Sequence, residues 1–320
     1  MTIEETGGLA AGQIDFREIT LADKEMADRY LLKYGGRSCQ HAFASMYCLK
    51  EKYKDSVCEK DDWLYILRAG LCKDSERVYL FPMGDVEKKD ELRYAVEQLL
   101  ADAHRYGKRL RFETITEEPA HLLEELFPGQ FEITENRDYA EYIYRRERLE
   151  TLAGKDLAKK RYYCNRFYRE YENRFRVEPI TGKNIPEILA FQGKWLEERL
   201  QTAAEPKSSQ LKTENRAMEN CLNTFEALGL KGICMYVDEV LCGYSFGSLL
   251  SGNCMDVIAE KGSMDILHIY QALSREFTLA CCHAAEYVNK EEDLGDTGLR
   301  EAKACYHPDI LLRKYVAREK

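Results

Sequence analysis

The apolar positions in the first half of the chain change between the two-residue period of strands and the longer period of helices. Two apolar runs, 63–70 and 77–84, enclose a polar turn and predict a pair of strands. Between Asp85 and Gly107 the apolar residues recur every three or four positions, which predicts an amphipathic helix. Further strands are predicted at 109–114 and in the segments QFEIT and AEYIYRR.

The second half of the chain repeats this order. A helix begins at Asn184, where a proline in the first turn favours the start. Three apolar strands follow in the segments KGICMYVD, LCGYSFGSLL and CMDVIAEKG. A helix from Asp265 to about Ala280, the strand AEYVN and the helix GLREAKACY complete the half. Antiparallel strands around a central helix, in duplicate, are typical of tandem α/β acyltransferase lobes.

We therefore predict an α/β fold of two acyltransferase-like lobes, each a mixed, mainly antiparallel sheet flanked by helices. Residues 1–150 form the first lobe in this prediction. Residues 151–180 form a connecting helix rich in basic and aromatic side chains, and residues 181–320 form the second lobe, which carries the working site.

The composition fits folded domains and narrows the classes of partner. The 320 residues are 45% hydrophobic and 32% charged, which supplies packed cores and excludes a largely disordered chain. A net charge of −9 disfavours binding of long nucleic acid by the whole surface. The opening residues lack the basic and apolar regions of a signal peptide, and no apolar run is long enough to span a bilayer. We expect a cytoplasmic protein.

The cysteines and histidines do not predict a metal site. The twelve cysteines form no CxxC pair, and the six histidines show no paired spacing. Most of the thiols are expected to be reduced and buried. A nucleophilic Cys305 is an alternative, with only His307 near enough in sequence to activate it.

The connecting segment, 155–176, is unusually basic. It contains eight basic and three acidic residues, a balance of +5. Four aromatic residues recur every four positions and would share one stripe of a helix: Tyr163, Phe167, Tyr171 and Phe175. In the simpler interpretation this stripe packs on both lobes and the charges are solvated. In the second, a phosphate or carboxylate, such as that of a charged tRNA end, is held by Lys155, Lys160 and Arg161.

Glu260 and Lys261 end an apolar strand of the second lobe. Because side chains alternate along a strand, the two point to opposite faces. They form either a simple surface pair or part of a site, at the place where acyltransferase-like sheets splay and substrate enters the gap.

The block after the strand AEYVN holds the largest group of candidate residues. The strand leaves the sheet at Asn289 and crosses a turn that carries Glu291, Glu292 and Asp293. Arg300 and Lys303 follow on a helix, three residues apart and so on one face. The acids would bind an ammonium, and the cations a carboxylate or phosphate. In the alternative interpretation the acids cap the helix and pair with the cations.

Several segments together resemble a known family. They are VNKEEDLGDTGLREAKACYHP with AEKG upstream, LAGKDLAKKRYYCNRF between the lobes, and FPMG and FPGQFE in the first half. Over about Phe16 to Tyr315 the sequence resembles the phosphatidylglycerol lysyltransferase C-terminal domain family. The resemblance implies tandem GNAT-like lobes, similar also to Fem-type peptidyltransferases. It further implies transfer of an amino acid from aminoacyl-tRNA, which members with a membrane half direct to a lipid headgroup.

Two departures limit what the resemblance implies. The sequence contains no membrane half, so the lipid acceptor does not carry over. Acetyl-CoA enzymes of this fold place a glycine-rich loop before the central helix, where backbone N–H groups hold the pyrophosphate. The corresponding segment, GSMDILHIYQAL, has no glycine beyond Gly262, which disfavours CoA.

These features predict an aminoacyl or acyl transferase that acts on an amine or hydroxyl acceptor. Glu260 or Asp293 is the predicted base, and Tyr306 the predicted proton donor. Negative charge on the substrate or transition state would be stabilised by Arg300 and Lys303. Substrate contacts are predicted for Asn289, Glu291, Arg300, Lys303, Lys261, Lys155, Lys160 and Arg161.

Two other functions stay open. One is an acyl-CoA-dependent N-acyltransferase, and the other is a GNAT-like protein that binds a small molecule without turnover. The donor is expected to be aminoacyl-tRNA or acyl-CoA. The acceptor is a small molecule, the tRNA acceptor end is a further partner, and no metal or resident cofactor is predicted.

Overall fold

The computed structural model describes residues 13–201, 203–205, 207–251 and 253–320. Most of the segment on which the absence of a signal peptide was predicted, residues 1–12, lies outside this part. The strands in these ranges are β1 Arg17–Glu18, β2 Asp55–Lys60, β3 Trp63–Arg68, β4 Glu76–Tyr79, β5 Arg109–Ile115, β6 Phe131–Glu135, β7 Glu141–Arg145, β8 Phe175–Pro179, β9 Lys231–Val237, β10 Val240–Leu250, β11 Cys254–Gly262, β12 Tyr287–Glu292, β13 Ile310–Leu312 and β14 Tyr315–Glu319. The α-helices are α1 Lys24–Tyr34, α2 Phe43–Cys48, α3 Lys50–Tyr53, α4 Lys89–Arg105, α5 Glu117–Leu126, α6 Arg146–Thr151, α7 Ala158–Glu170, α8 Ile185–Leu200, α9 Lys207–Asn223, α10 Phe225–Leu228, α11 Ile269–Cys281 and α12 Thr297–Ala304.

The chain folds into two compact units that interleave along the sequence. The first unit comprises the described residues up to Ile19 together with Tyr53–Thr134 and Tyr315–Lys320. The second unit comprises Thr20–Lys52 and Glu135–Lys314. Each unit contains one mixed sheet flanked by helices, which confirms the predicted fold class.

The predicted ranges 1–150, 151–180 and 181–320 differ from these units. Strand β7 lies before residue 150 but pairs with β12 and β13 of the second sheet. Strand β14 lies at the end of the chain but pairs with β5 of the first sheet. Strand pairing between distant segments, which local sequence patterns do not report, therefore defines the units.

The first unit has a seven-stranded sheet in the order β1-β2-β3-β4-β5-β14-β6. Strands β4 and β5 pair in parallel, and β1, β2 and β3 pair in antiparallel fashion. The apolar face of α4 is buried in the core of this unit through Leu92, Val96 and Leu99, as the periodicity predicts.

The second unit has a seven-stranded sheet in the order β13-β7-β12-β11-β10-β9-β8. Strands β11 and β12 pair in parallel over three residues only, and the last partners are Asp256 and Asn289. Both strands continue beyond that point, β11 paired with β10 and β12 paired with β7. The sheet therefore splays between β11 and β12, and α11 packs its apolar face against the core of this sheet.

The connecting helix is shorter than predicted. Helix α7 ends at Glu170, Asn173 turns the chain in the left-handed region with φ 58°, and Phe175 begins β8. The predicted aromatic stripe is instead a cluster in which the Phe167 ring centroid lies 5.0 Å from that of Tyr171 and 5.4 Å from that of Phe175.

Two further findings concern the whole described chain. None of the helices in these ranges combines the length and the apolar composition that a bilayer crossing requires. Cys48 of α2 and Cys221 of α9 form a disulfide, while the other cysteines in the described part are free.

Candidate functional site

The candidate site lies in the second unit, where β11 and β12 separate. Asp256, the last residue of β11 that pairs with β12, is fully buried. Its Oδ2 accepts a weak hydrogen bond from Ser45 Oγ at 3.4 Å, and its Oδ1 has no hydrogen-bond partner among the described residues. An unsatisfied buried carboxylate oxygen is costly, so its presence calls for an explanation.

A bulge at the end of β12 brings two more carboxylates to Asp256. The pairing of β12 with β7 shifts register between Asn289 and Glu292, and Glu291 between them has φ 56°. The Glu291 N–H donates to Asn289 Oδ1 at 2.7 Å, which holds the bulge. Because the bulge interrupts strand alternation, Glu291 and Glu292 both act electrostatically on Asp256. We call Asp256, Glu291 and Glu292 the carboxylate cluster.

Lys303 of α12 lies beside the carboxylate cluster. Its Nζ donates to the backbone carbonyl of Glu292 at 2.5 Å. Burial lowers the pKa of Lys303, even though the charges of Glu291 and Glu292 act in the opposite direction. Burial, followed by repulsion from neighbouring carboxylates, raises the pKa values of Asp256 and Glu291. Three carboxyl groups thus face one ammonium, and the surroundings resist ionisation of two of them.

A buried ion pair, whose two charges cancel, lies beside the carboxylate cluster. Glu141 and Lys314 are fully buried, with Oε1 and Nζ 2.5 Å apart. Glu141 also accepts hydrogen bonds from Ser38 Oγ at 3.1 Å, from the Cys39 N–H at 3.0 Å and from Asn289 Nδ2. Burial opposes ionisation of Glu141, but Lys314 and these hydrogen bonds overcome it and lower its pKa.

The same residues are poorly suited to a metal ion. Ligand atoms of Cys39, Glu141 and Glu292 lie within 4.8 Å of one another. Both oxygens of Glu141 are already engaged, one of them by Lys314, which would repel a cation. Burial and the charge of Glu141 raise the pKa of the Cys39 thiol, whereas metal binding requires the thiolate. The donor set therefore does not fit a metal site.

Asp293 and Arg300 pair with each other, as in the alternative interpretation of this segment, and do not form an open site. Asp293 is fully buried and accepts hydrogen bonds from Tyr142 at 2.6 Å, from Arg300 Nη2 at 2.8 Å and from Arg137 at 3.2 Å. Burial opposes ionisation, but these donors prevail and lower the pKa of Asp293. Arg300 is held further by Asp138 at 2.8 Å. A carboxylate stabilised in this way is a weak proton acceptor, which disfavours Asp293 as the base.

The other predicted catalytic residues, Glu260 and Tyr306, lie near each other but share no hydrogen bond with the carboxylate cluster. Glu260 forms an ion pair with Lys290 at 2.9 Å, and Lys290 also donates to Ser274 Oγ at 2.7 Å. The ammonium of Lys160 lies 4.3 Å from the ring centroid of Tyr306, and that of Lys290 lies 5.5 Å from it. Burial raises the pKa of Tyr306, so its hydroxyl remains protonated at neutral pH.

Three predicted binding residues lie apart from the cluster. Lys261 pairs with Glu214, and its ammonium lies 4.0 Å from the Trp195 ring centroid. Arg161 donates to the Gly154 carbonyl at 3.1 Å and to the Leu152 carbonyl, so it holds the chain that precedes α7. Lys155 is exposed in the same loop. Of the predicted residues, the structure therefore brings Asn289, Glu291 and Lys303 together.

Asp256, Glu141 and Lys314 are the members of this arrangement that the sequence prediction did not include, whereas Glu292 was part of the predicted acidic turn. A usable signal existed for Asp256, because one carboxylate inside the apolar run of β11 is costly to bury without a function. No local signal existed for Lys314, which enters the arrangement only through the pairing of β13 with β7.

A cavity of about 140 Å³ lies elsewhere in the second unit. It is lined by Cys48, Leu49, Glu51, Lys52, Thr213, Arg216, Ala217 and Asn220. None of the predicted site residues lines it. The half-buried side chains of Glu291, Glu292 and Lys303 instead give the carboxylate cluster a face toward solvent.

Comparison with known families decides the assignment. Residues 33–318 match the family described as "Phosphatidylglycerol lysyltransferase, C-terminal". The chain belongs to this family. The match confirms the resemblance predicted from the segment around Asn289 and Lys303, and it supports an aminoacyltransferase family.

Solved structures show the same fold. A conserved protein of unknown function from Bacteroides thetaiotaomicron is 30% identical, with a TM-score of 0.89 over 96% of this chain and 100% of that chain. L-PGS from Bacillus licheniformis is 14% identical, with a TM-score of 0.66 over 98% of this chain and 94% of that chain. FemX is 11% identical, with a TM-score of 0.53 over 95% of this chain and 97% of that chain. The last two similarities confirm the tandem GNAT-like architecture.

An uncharacterized protein from Mycoplasmoides gallisepticum is 20% identical over 178 residues. The alignment covers 55% of this chain and 55% of that protein, so the chain spans about half the length of this curated relative.

Proposed function

We propose that the chain transfers an aminoacyl group from aminoacyl-tRNA to an amine or hydroxyl acceptor, and that the carboxylate cluster binds the ammonium of that group. The observation that carries the proposal is the fully buried carboxylate of Asp256, whose Oδ1 has no hydrogen-bond partner in the described ranges. Asp256 faces two further carboxylates and a single lysine. A guest ammonium would therefore complete both the hydrogen bonding and the charge balance.

The charge of the cluster favours the ammonium of the donor over that of the acceptor. An acceptor amine must be neutral when it attacks a carbonyl, and a site that stabilises its protonated form would slow the reaction. The α-ammonium of an aminoacyl ester has no such constraint, because it stays charged throughout the transfer. The cluster thus serves to recognise the aminoacyl group.

The transfer needs one proton acceptor and one group that stabilises negative charge. The acceptor nitrogen or oxygen attacks the ester carbonyl, a new C–N or C–O bond forms, and the bond to the ribose oxygen breaks. Glu291 takes the proton of the nucleophile, and burial raises its pKa in the direction that suits a base. Lys303 stabilises the charge on the carbonyl oxygen, and the departing ribose oxygen takes up the proton that Glu291 removed from the nucleophile.

A transfer assay with matched variants tests this proposal. The protein is incubated with tRNA that carries a radiolabelled amino acid and with a panel of amines and alcohols, and the label that leaves the RNA is measured. Asp256→Asn keeps the shape of the side chain but cannot ionise when an ammonium binds, and we expect a loss of about 100-fold or more. Asp265→Asn makes the same chemical change at an exposed position and should retain the wild-type rate.

Equal rates for Asp256→Asn and wild type would contradict the ammonium site. The two alternative functions are separated by a thermal shift assay with acetyl-CoA and longer acyl-CoAs, since a ligand of the native state raises Tm. A rise in Tm with acyl-CoA, together with transfer from it, would favour the N-acyltransferase. Binding of an amino-acid amide without transfer from any donor would favour the non-catalytic protein.

A further inference from the structure

We propose that the disulfide between Cys48 and Cys221 is a redox-active site, which a small anionic thiol opens by attack on Cys48, and that its reduction loosens the segment beside the carboxylate cluster. The disulfide joins α2 to α9 across a sequence separation of 173 residues. The ten other cysteines, all within the described ranges, are free. The redox site stands without the proposed function, and only its effect on aminoacyl transfer rests on that function.

The cavity of about 140 Å³ borders one half of the disulfide. Cys48 lines it, whereas Cys221, which is fully buried, lies outside the described lining. Glu51, Lys52 and Arg216 line the same cavity and are exposed, so the cavity opens to solvent. The volume is about ten times the least that holds a water molecule, which suits a small thiol. A thiol that enters the cavity therefore meets Cys48 first.

The charge of the cavity favours an anionic thiol. Its lining contains two cations, Lys52 and Arg216, and one acid, Glu51, an excess of one positive charge. The Arg216 guanidinium lies 3.7 Å from the Glu51 carboxylate, and the Arg216 side chain is 71% exposed. A neighbouring cation stabilises a thiolate, which is the form that attacks a disulfide. A thiol that also carries a carboxylate gains a second favourable charge contact.

The exchange takes place in two steps. In the first, the thiolate attacks the sulfur of Cys48, a mixed disulfide forms, and the S–S bond breaks. Cys221 leaves as a thiolate and takes up, through water, the proton that the reductant lost. In the second step another molecule of the thiol attacks the reductant's own sulfur, Cys48 leaves as a thiol, and the symmetrical disulfide of the reductant is released. Two thiol molecules are oxidised and two cysteines are reduced.

Cys48 ends a segment that borders the carboxylate cluster. Three residues earlier on α2, Ser45 donates to Asp256 Oδ2 at 3.4 Å. Before α2, Gln40 Nε2 donates to Glu292 Oε1 at 3.4 Å. We call residues 38–48 the lining segment. Both of these hydrogen bonds are long and therefore weak, so the position of the lining segment depends on how its end is held.

Helix α9 holds the end of the lining segment. It is tied to the sheet, because Glu214 forms an ion pair with Lys261 of β11. The disulfide connects this helix covalently to Cys48, and Asn220 Nδ2 of α9 donates to the Cys48 carbonyl at 3.3 Å. Reduction removes the covalent connection and leaves only non-covalent contacts. The lining segment then gains freedom beside Asp256.

Thiol exchange followed by mass spectrometry tests the site. The parent protein is Cys305→Ser, because Cys305 is an exposed free thiol. With each rate divided by that of the same thiol on a neutral small disulfide, 3-mercaptopropionate should open the bridge roughly fivefold faster than cysteamine. Arg216→Gln should remove this preference. Lys212→Gln removes an exposed cation of the same helix outside the cavity and should keep it.

Single cysteine variants of the parent identify the sulfur that is attacked. In Cys221→Ser, the symmetrical disulfide of 3-mercaptopropionate should add to Cys48. In Cys48→Ser, Cys221 should stay unmodified because it is buried away from the cavity. An adduct on Cys221 but not on Cys48, or equal relative rates for the anionic and cationic thiols, would overturn the proposed site. Twelve free thiols in protein that has been treated with a mild oxidant would overturn it as well.

Hydrogen exchange of the oxidised and reduced protein tests the effect on the lining segment. On reduction, amides in 38–48 should exchange roughly tenfold faster, while those of β3 in the first unit serve as the reference. Tm should fall by roughly 5–10 °C, and aminoacyl transfer by about fivefold or more. Cys48→Ser/Cys221→Ser should match the reduced protein with and without thiol. Unchanged exchange in 38–48 after reduction would overturn the loosening.

The proposed function fails separately. If the thiol opens the disulfide and loosens the lining segment, but neither redox form transfers an aminoacyl group, the redox site stands and the transferase does not. If both forms transfer at the same rate, the transferase stands and redox control of it is wrong.

Discussion

Asp256 and Asn289 face each other as the last partners in the parallel pairing of β11 and β12. Both side chains are fully buried. Asn289 donates to Glu141 and to the Arg37 carbonyl and accepts from the Glu291 N–H, so it is satisfied. Asp256, directly across, retains an unpartnered oxygen among the described contacts. One member of the pair thus has all its hydrogen bonds within the protein, and the other keeps an oxygen for which the proposed function supplies a partner.

The approach of β10 to β11 behind Asp256 requires a glycine. A Cβ on Gly247 would lie 1.8 Å from the Asp256 carbonyl oxygen. Gly247→Ala must therefore displace β11, and we expect a loss of roughly 1–3 kcal/mol in the free energy of unfolding, measured with urea. Gly193→Ala is the control: nothing lies within 4 Å of its Cβ position inside α8, so alanine should stabilise by about 0.5–1 kcal/mol. Similar effects at both positions would contradict the close approach.

Lys314 is expected to be essential for stability at neutral pH. Lys314→Met leaves the buried Glu141 carboxylate without its cation, which should cost about 3–5 kcal/mol in the free energy of unfolding. The pKa of Glu141 is lowered in the folded wild type, so the stabilisation from the pair is present above the usual carboxyl range and lost as pH falls through the lowered value. In Lys314→Met, protonation of Glu141 removes the unpaired charge. The difference in the free energy of unfolding between this variant and wild type should therefore become smaller in acid.

The control for Lys314 removes both charges. Glu141→Leu/Lys314→Met should recover most of the lost stability, because two apolar side chains need no partner. A double variant no more stable than Lys314→Met would show that the loss comes from packing and not from the unpaired charge.

Asp293 is expected to matter for structure more than for catalysis. Asp293→Asn weakens the hydrogen bonds from Tyr142 and Arg300 and should cost about 1–3 kcal/mol in the free energy of unfolding, while aminoacyl transfer continues. Because the folded pKa lies below the usual 3.8, the contribution of Asp293 is present above that value and lost as pH falls through the folded pKa. Loss of transfer at unchanged stability would restore the sequence prediction of Asp293 as the base.

Lys303 is expected to act in the transfer itself. Lys303→Met keeps most of the length of the side chain and removes the charge beside the Glu292 carbonyl. We expect transfer to fall by about 100-fold, because charge on the carbonyl oxygen loses its stabilising partner. Lys303→Arg should recover part of the rate. Circular dichroism of both variants checks the fold, and a wild-type rate for Lys303→Met would contradict its role.

The sequence predicted the fold well where local patterns determine structure. The period of Leu92, Val96 and Leu99 predicts α4, which buries one face, and the continuous apolar run in WLYILR predicts β3, whose residues are all buried. The end of α7 was missed because the aromatic spacing continues to Phe175 although the chain turns at Asn173. The units were predicted as contiguous because the pairing of β7 and β14 depends on distant partners.

The candidate site was predicted only in part, and for the same reason. Asn289, Glu291 and Lys303 lie in one continuous segment, so the local sequence pattern indicates all three. Asp256 and Glu141 join them through pairing with β12, which brings together strands that are far apart in the chain. Asp293 and Arg300 carry charges that suit substrate binding, but the structure shows that they form an ion pair with each other.

Asp256→Asn, assayed for stability and for transfer in the same preparation, tests the account most directly. Burial raises the pKa of Asp256, so the folded state keeps a proton that the unfolded chain releases above 3.8, and wild-type stability falls as pH rises from there to the folded pKa. Asparagine does not titrate, so Asp256→Asn should not lose stability in this way as the pH rises. We predict a higher Tm than wild type at mildly alkaline pH, a difference that vanishes on acidification, and the loss of aminoacyl transfer. A lower Tm at alkaline pH with transfer at the wild-type rate would contradict the account.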